Sequence, residues 1–315
     1  TSKTGGFIIA PSLTLPRKLL APRYWPTWMG VAAFWCITQL PRSLRQGLGE
    51  FAGTIAWRRN KKRREIVDVN LGLCFPEWSQ EKRDAMNKRH FQIMGRSMLD
   101  MGLIWFASDK RLLRSMELEG WEHIEAARAA KKNIILNVAH SAGLDFGAMV
   151  IGSRSPGIGP YKAAKNEVVD WWITKSRQRF GSKIFERSDG MMAFTRAVRK
   201  GVLFYVLADE DYGKDASVFA PFFGQEKASL PMVGRLAKIS NATVLPVMTY
   251  YDEKKQRYLT KIFPPLSSFP IGDKLKDTTR LNHSLEQMIR LAPEEYMWTL
   301  RIFLTRPDGS RIYHY

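Results

Sequence analysis

One histidine and one aspartate stand five residues apart, directly after a short apolar run. The run is NIILNVA (133–139), and His140 and Asp145 follow it. On one helix these side chains would diverge by about 140°, since each residue turns the helix by about 100°. They meet only if the chain changes structure between them, and Ser141-Ala142-Gly143 suits a turn into a helix. Taken alone, the pattern favours a plainer interpretation: a loop histidine, then an aspartate at the positive end of a helix dipole.

More polar residues follow the next apolar run, VLFYVLA (202–208). Asp209 and Asp211 come directly after it, and Arg187 lies in a loop between the two runs. If the runs are parallel strands, their carboxyl ends lie at one edge of the sheet, where ligands bind in α/β folds. A histidine, carboxylates and an arginine around one cleft suit general-base chemistry on an anionic substrate.

Other sites remain possible with the same residues. The candidate metal ligands are His140, Asp145, Asp209 and Asp211. A catalytic zinc usually takes more than one histidine or cysteine, and no second histidine stands near these motifs in the sequence. A magnesium site made by Asp209 and Asp211 is a weaker alternative, and a solvent-facing acidic loop is the plainest one. The sequence contains no G-x-S-x-G nucleophile elbow, glycine-rich phosphate loop or nucleic-acid motif.

The elements that carry these residues alternate between apolar strands and helices. This order predicts an α/β fold with a mostly parallel central sheet flanked by helices. The predicted strands are 133–139, 202–208, 242–251, 257–266 and a possible one at TLRIFLTR (299–306); the predicted helices are 81–108, 121–133, 230–240 and 280–292.

The net charge indicates an anionic partner. The 315 residues include 49 Lys and Arg against 30 Asp and Glu, a formal charge of +19. Nucleic acid, an anionic membrane and an acidic protein or substrate all suit such a charge. The two cysteines, Cys36 and Cys74, form no C-x-x-C pair, so the sequence gives no sign of a zinc site or a disulfide framework.

The N-terminal region has the features of a membrane anchor. Residues 24–40 carry no charge and include three tryptophans, close to the minimum of about 17 apolar residues for a membrane-spanning helix. The basic run Arg58 to Arg64 suits anionic lipid headgroups and places the following chain in the cytoplasm. We therefore expect a tail and anchor in 1–45 and an α/β domain in 46–315. The alternatives are a buried core helix and a solvated basic helix face, and length does not decide between spanning and interfacial anchors.

Together these motifs resemble a known family. The H-x-x-x-x-D pattern after an apolar strand resembles the glycerolipid acyltransferase superfamily, and the rest of the chain resembles the late acyltransferases of lipid A biosynthesis, the lauroyl and myristoyl transferases. The segments that carry the resemblance are PRYWPTWMG (22–30), NLGLCFPEWS (70–79), GIGPYKAAKNEVVDWW (157–172), ADEDYG (208–213), SVFAPFFG (217–224) and EEYMWTLRIFLTRPDG (294–309).

The resemblance implies acyl transfer from acyl carrier protein to a hydroxyl of a hydroxyacyl chain on a phosphorylated lipid A precursor. His140 is then the general base and Asp145 holds its ring, while Arg187, Asp209 and Asp211 bind substrate. No cofactor or metal is expected beyond the carrier thioester. The implied location is the inner membrane of a Gram-negative bacterium, with the catalytic domain on the cytoplasmic face, anionic lipid as a partner and no nucleic acid.

Two departures from the family pattern are visible. Family members carry Glu where this chain has Asp145. The family's Y-R-P-x-x-N segment is Tyr161 to Asn166 here, with Lys162 in place of the arginine, so Lys162 and Asn166 are expected substrate contacts. Two rival functions stay open: a glycerophosphate acyltransferase with the same dyad, and a non-enzymatic basic protein that binds membrane surfaces or nucleic acid by charge alone.

Overall fold

The computed structural model describes residues 14–186 and 190–314. Helices dominate the first third, and helices alternate with strands afterwards. The helices are α1 (Trp25–Gln39), α2 (Arg42–Arg59), α3 (Lys61–Cys74), α4 (Gln80–Phe106), α5 (Asp109–Arg114), α6 (Trp121–Ala129), α7 (Leu144–Arg154), α8 (Glu167–Arg177), α9 (Gly190–Arg199), α10 (Met232–Ser240) and α11 (Lys274–Leu291). Short 3-10 turns lie at Arg17–Leu20, Pro22–Tyr24 and Pro293–Glu295.

Within these residues, seven strands form the central sheet in the order β1-β9-β8-β2-β5-β3-β4. Every neighbouring pair is parallel except β8 and β9. The strands are β1 (Met116–Glu119), β2 (Asn133–Val138), β3 (Gly157–Tyr161), β4 (Lys183–Glu186), β5 (Leu203–Val206), β8 (Ala242–Asp252) and β9 (Arg257–Ile262), and an antiparallel hairpin joins β6 (Val218–Phe222) to β7 (Gln225–Ser229). The predicted α/β fold is confirmed.

The core lies on both faces of this sheet. β2 is central, and Ile134 to Val138 are buried because helices cover both of its sides. Leu136 and Val138 pack with α7 on one face, and Ile135 packs with α9 and α10 on the other. The continuous apolar run in the sequence is therefore the mark of a strand that is buried on both faces.

The N-terminal helices pack onto this layer through α4. A Cβ added at Gly53 would lie 2.2 Å from the Phe91 carbonyl oxygen, and one at Gly95 would lie 2.2 Å from that of Gly49, so α2 and α4 approach to backbone contact. A buried ion pair between Arg45 Nε and Asp100 Oδ1, at 2.7 Å, also joins them. The Tyr258 hydroxyl donates a hydrogen bond to Asp100 at 3.0 Å, which links the ion pair of Arg45 and Asp100 to the sheet.

The apolar segment 24–40 is helical, as α1. Its 15 residues extend about 22 Å, less than the roughly 30 Å of a bilayer core. No helix among the described residues combines the length and apolarity that crossing a membrane requires. One side of α1 packs against α4 and α8, while Trp25, Met29 and Trp35 are exposed on the rest. The expected anchor thus stays a prediction.

One predicted strand is wrong. Residues 299–306, all of them described, contain no strand. The side chain of Asn70 instead donates to the carbonyl oxygens of Trp298 and Leu300, both at 2.7 Å. The segment is apolar because Ile302 and Phe303 are buried against α3, and that burial produces the same residue pattern as a strand.

Candidate active site

His140 lies just beyond the carboxyl end of β2 and is held by Asp209. Nδ1–H of His140 donates to Asp209 Oδ1 at 2.5 Å. The backbone N–H of His140 donates to the other carboxylate oxygen at 2.8 Å. Asp209 is fully buried, and the His140 side chain keeps 10% of its surface exposed. Since Nδ1 carries the proton, Nε2 is the nitrogen that can accept one.

Strand pairing brings these two residues together across 69 positions of sequence. β2 and β5 are parallel neighbours, with Ile135 opposite Phe204 and Asn137 opposite Val206. Both strands therefore end at the same edge of the sheet, and His140 and Asp209 lie there. The expectation that the two polar clusters share one sheet edge is confirmed.

The electrostatics of Asp209 favour its carboxylate form. Burial acts to raise its pKa, but the charge and hydrogen bonds of His140, together with the charge of Lys227, outweigh this, so its pKa lies below the usual value. Lys227 is itself fully buried, and burial lowers its pKa to about 8 against the opposing charges of Asp209, Asp211 and Glu210. An anionic Asp209 stabilises a protonated imidazole at His140.

A second carboxylate faces the other ring nitrogen. Glu210 Oε1 lies 3.5 Å from Nε2 of His140, and its side chain is a quarter exposed. His140 therefore stands between two acidic groups, one buried and one at the cleft surface. This increases the negative potential at the nitrogen that would accept a proton.

Asp145 occupies the predicted place but has a different partner. It lies in the first turn of α7, as expected from the turn at residues 141–143. Its Oδ1 accepts from Nε of Arg177 at 3.0 Å and lies 3.0 Å from Nη2 of the same side chain. Asp209 is the hydrogen-bond partner of Nδ1, and the role of Asp145 in holding the ring stays a prediction. Asp145 itself pairs with Arg177 at the end of α8.

Arg177 was missed by sequence reasoning. It is the last residue of α8, about a third exposed, and it brings a guanidinium to the cleft through Asp145. In the sequence it stands among other basic residues, in TKSRQRF (174–180), with nothing to distinguish it from a solvated helix end. Only the crossing of α7 and α8 distinguishes it.

Asp211 lies near the site but is engaged with the C-terminal segment. Its carboxylate accepts from the backbone N–H of Thr305 at 2.7 Å and from the Thr305 hydroxyl at 2.9 Å. It also accepts from the N–H of Gly213 at 2.9 Å. These bonds fix the loop after Asp209, and a substrate-binding role for Asp211 stays a prediction.

The remaining predicted site residues are spread over α8 and its approach. Asn166 caps α8 by accepting from the N–H groups of Val168 and Val169, and its amide donates to Thr27 on α1 at 2.9 Å. Lys162 is exposed in the preceding loop. Arg187 lies outside the described residues. The substrate contacts of these three residues stay predictions.

Chemically, the arrangement is a base with an anionic orienting partner, beside a paired arginine. Such a group can remove a proton from a hydroxyl and stabilise the cation that forms. Between residues 14 and 186 and between 190 and 314, no group of three or more His, Cys, Asp or Glu side chains is arranged to hold a metal ion.

Comparison with known proteins decides the family. Residues 15–305 match the family model described as "Bacterial lipid A biosynthesis acyltransferase". The chain belongs to this family. It is an acyltransferase, so the non-enzymatic alternative is wrong, and the resemblance seen in the sequence is confirmed.

Curated relatives match this chain over nearly their whole length. The acyltransferase is 37% identical to the "Lipid A biosynthesis lauroyltransferase" of Escherichia coli K12 over 92% of this chain and 95% of that one. It is 31% identical to the palmitoleoyltransferase of the same strain over 95% of this chain and 98% of that one. It is 32% identical to the myristoyltransferase of that strain over 92% of this chain and 90% of that one. These relatives are named for different acyl chains, so family membership leaves the chain length open.

Proposed function

We propose that this acyltransferase moves a fatty acyl chain from the thioester of acyl carrier protein to a hydroxyl of a hydroxyacyl chain on a phosphorylated lipid A precursor. The observation that carries the proposal is the hydrogen bond between His140 and Asp209 at the sheet edge of a member of this family. Secondary acylation of lipid A is the corresponding step. The reaction requires no cofactor beyond the carrier thioester and no metal, since an activated hydroxyl attacks a thioester directly.

The proton moves through His140. Nε2 takes the proton of the acceptor hydroxyl as its oxygen attacks the thioester carbonyl carbon. Asp209 keeps the proton on Nδ1 and stabilises the imidazolium that results. When the tetrahedral intermediate collapses, the carbon–sulfur bond breaks and His140 returns the proton to the leaving thiolate. The products are an ester and the free thiol of the carrier, so no enzyme nucleophile is required.

Arg177 supplies positive charge beside this centre. Its guanidinium is held by Asp145 in the first turn of α7, five residues after the base. A guanidinium suits an oxyanion or a phosphate, because its donors point in fixed directions. We assign to Asp145 the positioning of Arg177, and to Arg177 the binding of negative charge that develops on the thioester oxygen or is carried by the substrate.

The substrates are proposed to be anionic. Acyl carrier protein is acidic and the lipid acceptor is phosphorylated, which suits a formal charge of +19. One concentration of positive charge lies close to the site: a cleft of about 730 Å³ that borders Thr305, the partner of Asp211. Its basic lining residues are Lys214, Arg301, Arg306, Arg311 and His314.

An anionic membrane surface is the proposed location, on the cytoplasmic face of the inner membrane. Leu44, Leu48, Phe51 and Ile55 form one exposed apolar face along α2, at helical spacing. Helix α1 is apolar around its circumference and also exposes Trp25, Met29 and Trp35. The last turn of α2 carries exposed cations at Arg58 and Arg59, and the start of α3 carries Lys61 and Lys62. Exposed apolar faces beside clustered cations are typical of helices that lie in the interface of anionic bilayers.

Helix α8 connects this membrane face to the site. Its N-terminal end contacts the α1 region through Asn166 with Thr27 and through Glu167 with Lys18. Its C-terminal end carries Arg177 to Asp145. Eleven residues of helix extend about 16 Å, and this short span supports delivery of a lipid acceptor from the surface to the site.

The test is acyl transfer by purified enzyme, with product lipids identified by mass spectrometry. Carrier-bound acyl donors are offered with the disaccharide lipid precursor and glycerol phosphate as competing acceptors. We expect transfer to the disaccharide lipid, and its loss in His140→Ala. The control is His283→Ala, a surface histidine on α11. Wild-type rates in His140→Ala contradict the mechanism, and transfer to glycerol phosphate alone supports the rival acyltransferase.

A further inference from the structure

A lysine is fully buried beside the acidic loop that follows β5. Lys227 lies on β7, the second strand of the small hairpin, and none of its surface is exposed. Its Nζ lies 3.4 Å from the carbonyl oxygen of Glu210 and 3.4 Å from Oγ of Ser229. The opposing charges come from Asp209, Glu210 and Asp211. Lysine is almost never fully buried unless it is paired, and here the pairing is with this acidic loop.

The hairpin holds this ammonium group at one place. The Nζ of Lys227 lies 5.7 Å from the centroid of the buried Phe222 ring on β6, where a cation is attracted to an aromatic face. Asn282 of α11 donates to Oγ of Ser229 at 3.0 Å and to the carbonyl oxygen of Pro221 at 2.9 Å. These two bonds join both strands of the hairpin to α11, so Lys227 stays beside the acidic loop.

The ring of His140 has a carboxylate beside each nitrogen, and both oppose its use as a base at neutral pH. Asp209 accepts from Nδ1 at 2.5 Å, and Glu210 lies 3.5 Å from Nε2. Each negative charge favours the protonated imidazole, so together they raise the pH at which Nε2 becomes free to accept a proton. A general base works best when it titrates near the operating pH. A positive charge is therefore needed to offset the two carboxylates.

We infer that Lys227 is a positioning residue for this reaction, and that its buried positive charge offsets Asp209 and Glu210 so that His140 starts each turnover unprotonated at Nε2. The inference rests on the proposed function, because it gives Lys227 a part in the same proton transfer. Burial lowers the pKa of Lys227 to about 8, so the side chain is still mostly cationic at neutral pH. Being fully buried, Lys227 acts through Asp209 and not on the substrate.

Removal of this cation has an effect of known sign. Lys227→Met keeps an unbranched apolar stem and deletes the charge. His140 and Asp209 then face Glu210 without the opposing charge, so the pair takes up its proton at a higher pH. We expect the acid limb of the kcat/KM profile to move up by about one pH unit. The rate should fall roughly tenfold at the acid end and return close to that of wild type at about pH 9.

Two further variants separate charge from packing. Lys227→Arg keeps a positive charge at this place and should keep the wild-type acid limb. Lys238→Met removes an exposed cation from α10, so it makes the same change in net charge at the surface, and it should leave the profile unmoved. A side chain that only supports the hairpin would lower kcat/KM by the same factor at every pH.

The titration of His140 can also be measured without any transfer, by nuclear magnetic resonance. In protein labelled with ¹³C in its five histidines, the signal that is missing from His140→Ala belongs to this ring. Its midpoint should rise by about one pH unit in Lys227→Met. The same rise is expected in Lys227→Gln, a second neutral variant that keeps a polar end for the Glu210 carbonyl.

A wild-type midpoint of His140 in the neutral variants overturns the inference, even where their overall rate falls. If neither neutral variant folds, Lys227 serves stability alone and the inference fails as well. If the midpoint rises but no form of the enzyme acylates the lipid acceptor, the proposed function fails and the control of His140 by Lys227 stands. If transfer depends on His140 while neither midpoint nor acid limb responds to Lys227, the proposed function stands and the inference fails.

Discussion

Asp209 binds His140 twice, through Nδ1 of the ring at 2.5 Å and through the backbone N–H at 2.8 Å. The two bonds fix both the orientation of the ring and the position of its backbone. An amide in place of this carboxylate presents N–H groups to Nδ1 and favours the tautomer whose Nε2 cannot accept a proton. We expect Asp209→Asn to lower kcat by about 10⁴, as loss of an orienting carboxylate does elsewhere.

The control for this variant is Asp211→Asn, which removes a carboxylate two residues away that contacts Thr305 and not His140. Its kcat should stay within about tenfold of wild type, since the asparagine keeps one acceptor oxygen and each loop hydrogen bond that is lost is worth about 1 kcal/mol. Kinetic measurement of the pair decides the role of Asp209. Equal losses in the two variants would show that loop disruption, and not the tautomer of His140, limits the rate.

Asp145 and Arg177 should behave as one unit. Because each is the other's ion-pair partner, Asp145→Asn and Arg177→Met remove the same interaction, and their effects should not add. A double-mutant cycle on kcat/KM should give a coupling energy of about 1–3 kcal/mol. Additive effects would mean that Asp145 acts on something other than Arg177, such as His140 in a rearranged state.

The exposed face of α2 should control membrane binding without affecting the chemistry. Phe51→Ser removes a large exposed apolar side chain, worth about 1.5–3 kcal/mol when buried in lipid, so binding to anionic vesicles should weaken roughly tenfold or more. Sedimentation with vesicles measures this, and transfer to a detergent-solubilised acceptor should be unchanged. Lys276→Ser on α11 is the matched surface control. Unaltered vesicle binding in Phe51→Ser would assign another role to this face.

His90 should make the fold sensitive to mild acid. It is fully buried on α4, and burial lowers its pKa to about 4 from 6.5. The unfolded chain therefore binds a proton between pH 6.5 and 4 that the folded chain resists. The free energy of unfolding keeps this contribution above pH 6.5 and loses it as pH falls towards 4, by up to about 3 kcal/mol.

Denaturant titrations at pH 7 and pH 4.5 test this expectation. In His90→Gln the difference between the two pH values should shrink by about 2–3 kcal/mol, whatever the substitution does at pH 7. His123→Gln on α6 serves as the control histidine. If the pH dependence survives in His90→Gln, protonation of another group is responsible for it.

Local pattern in the sequence was sufficient for a large part of this fold. The run 133–139 is a strand because its burial on both faces requires an unbroken apolar sequence, and the turn at residues 141–143 places Asp145 in the first turn of α7. Strands β3 and β4 escaped notice, since one contains Gly157, Gly159 and Pro160 and the other has only four residues. Their pairing with neighbours, and not their own composition, makes them strands.

The sequence by itself determined that a histidine ends one buried strand and that Asp209 ends another, and the shared edge of a parallel sheet followed. Which carboxylate meets Nδ1 was decided only by tertiary structure. Asp145 is five residues from His140 and Asp209 is 69 away, yet the register of β2 on β5 brings the distant one into contact. Arg177 likewise became part of the site only through the crossing of α7 and α8. Side-chain partners depend on the distances between helices and strands. Packing fixes these distances, and the periodicity of the sequence does not encode them.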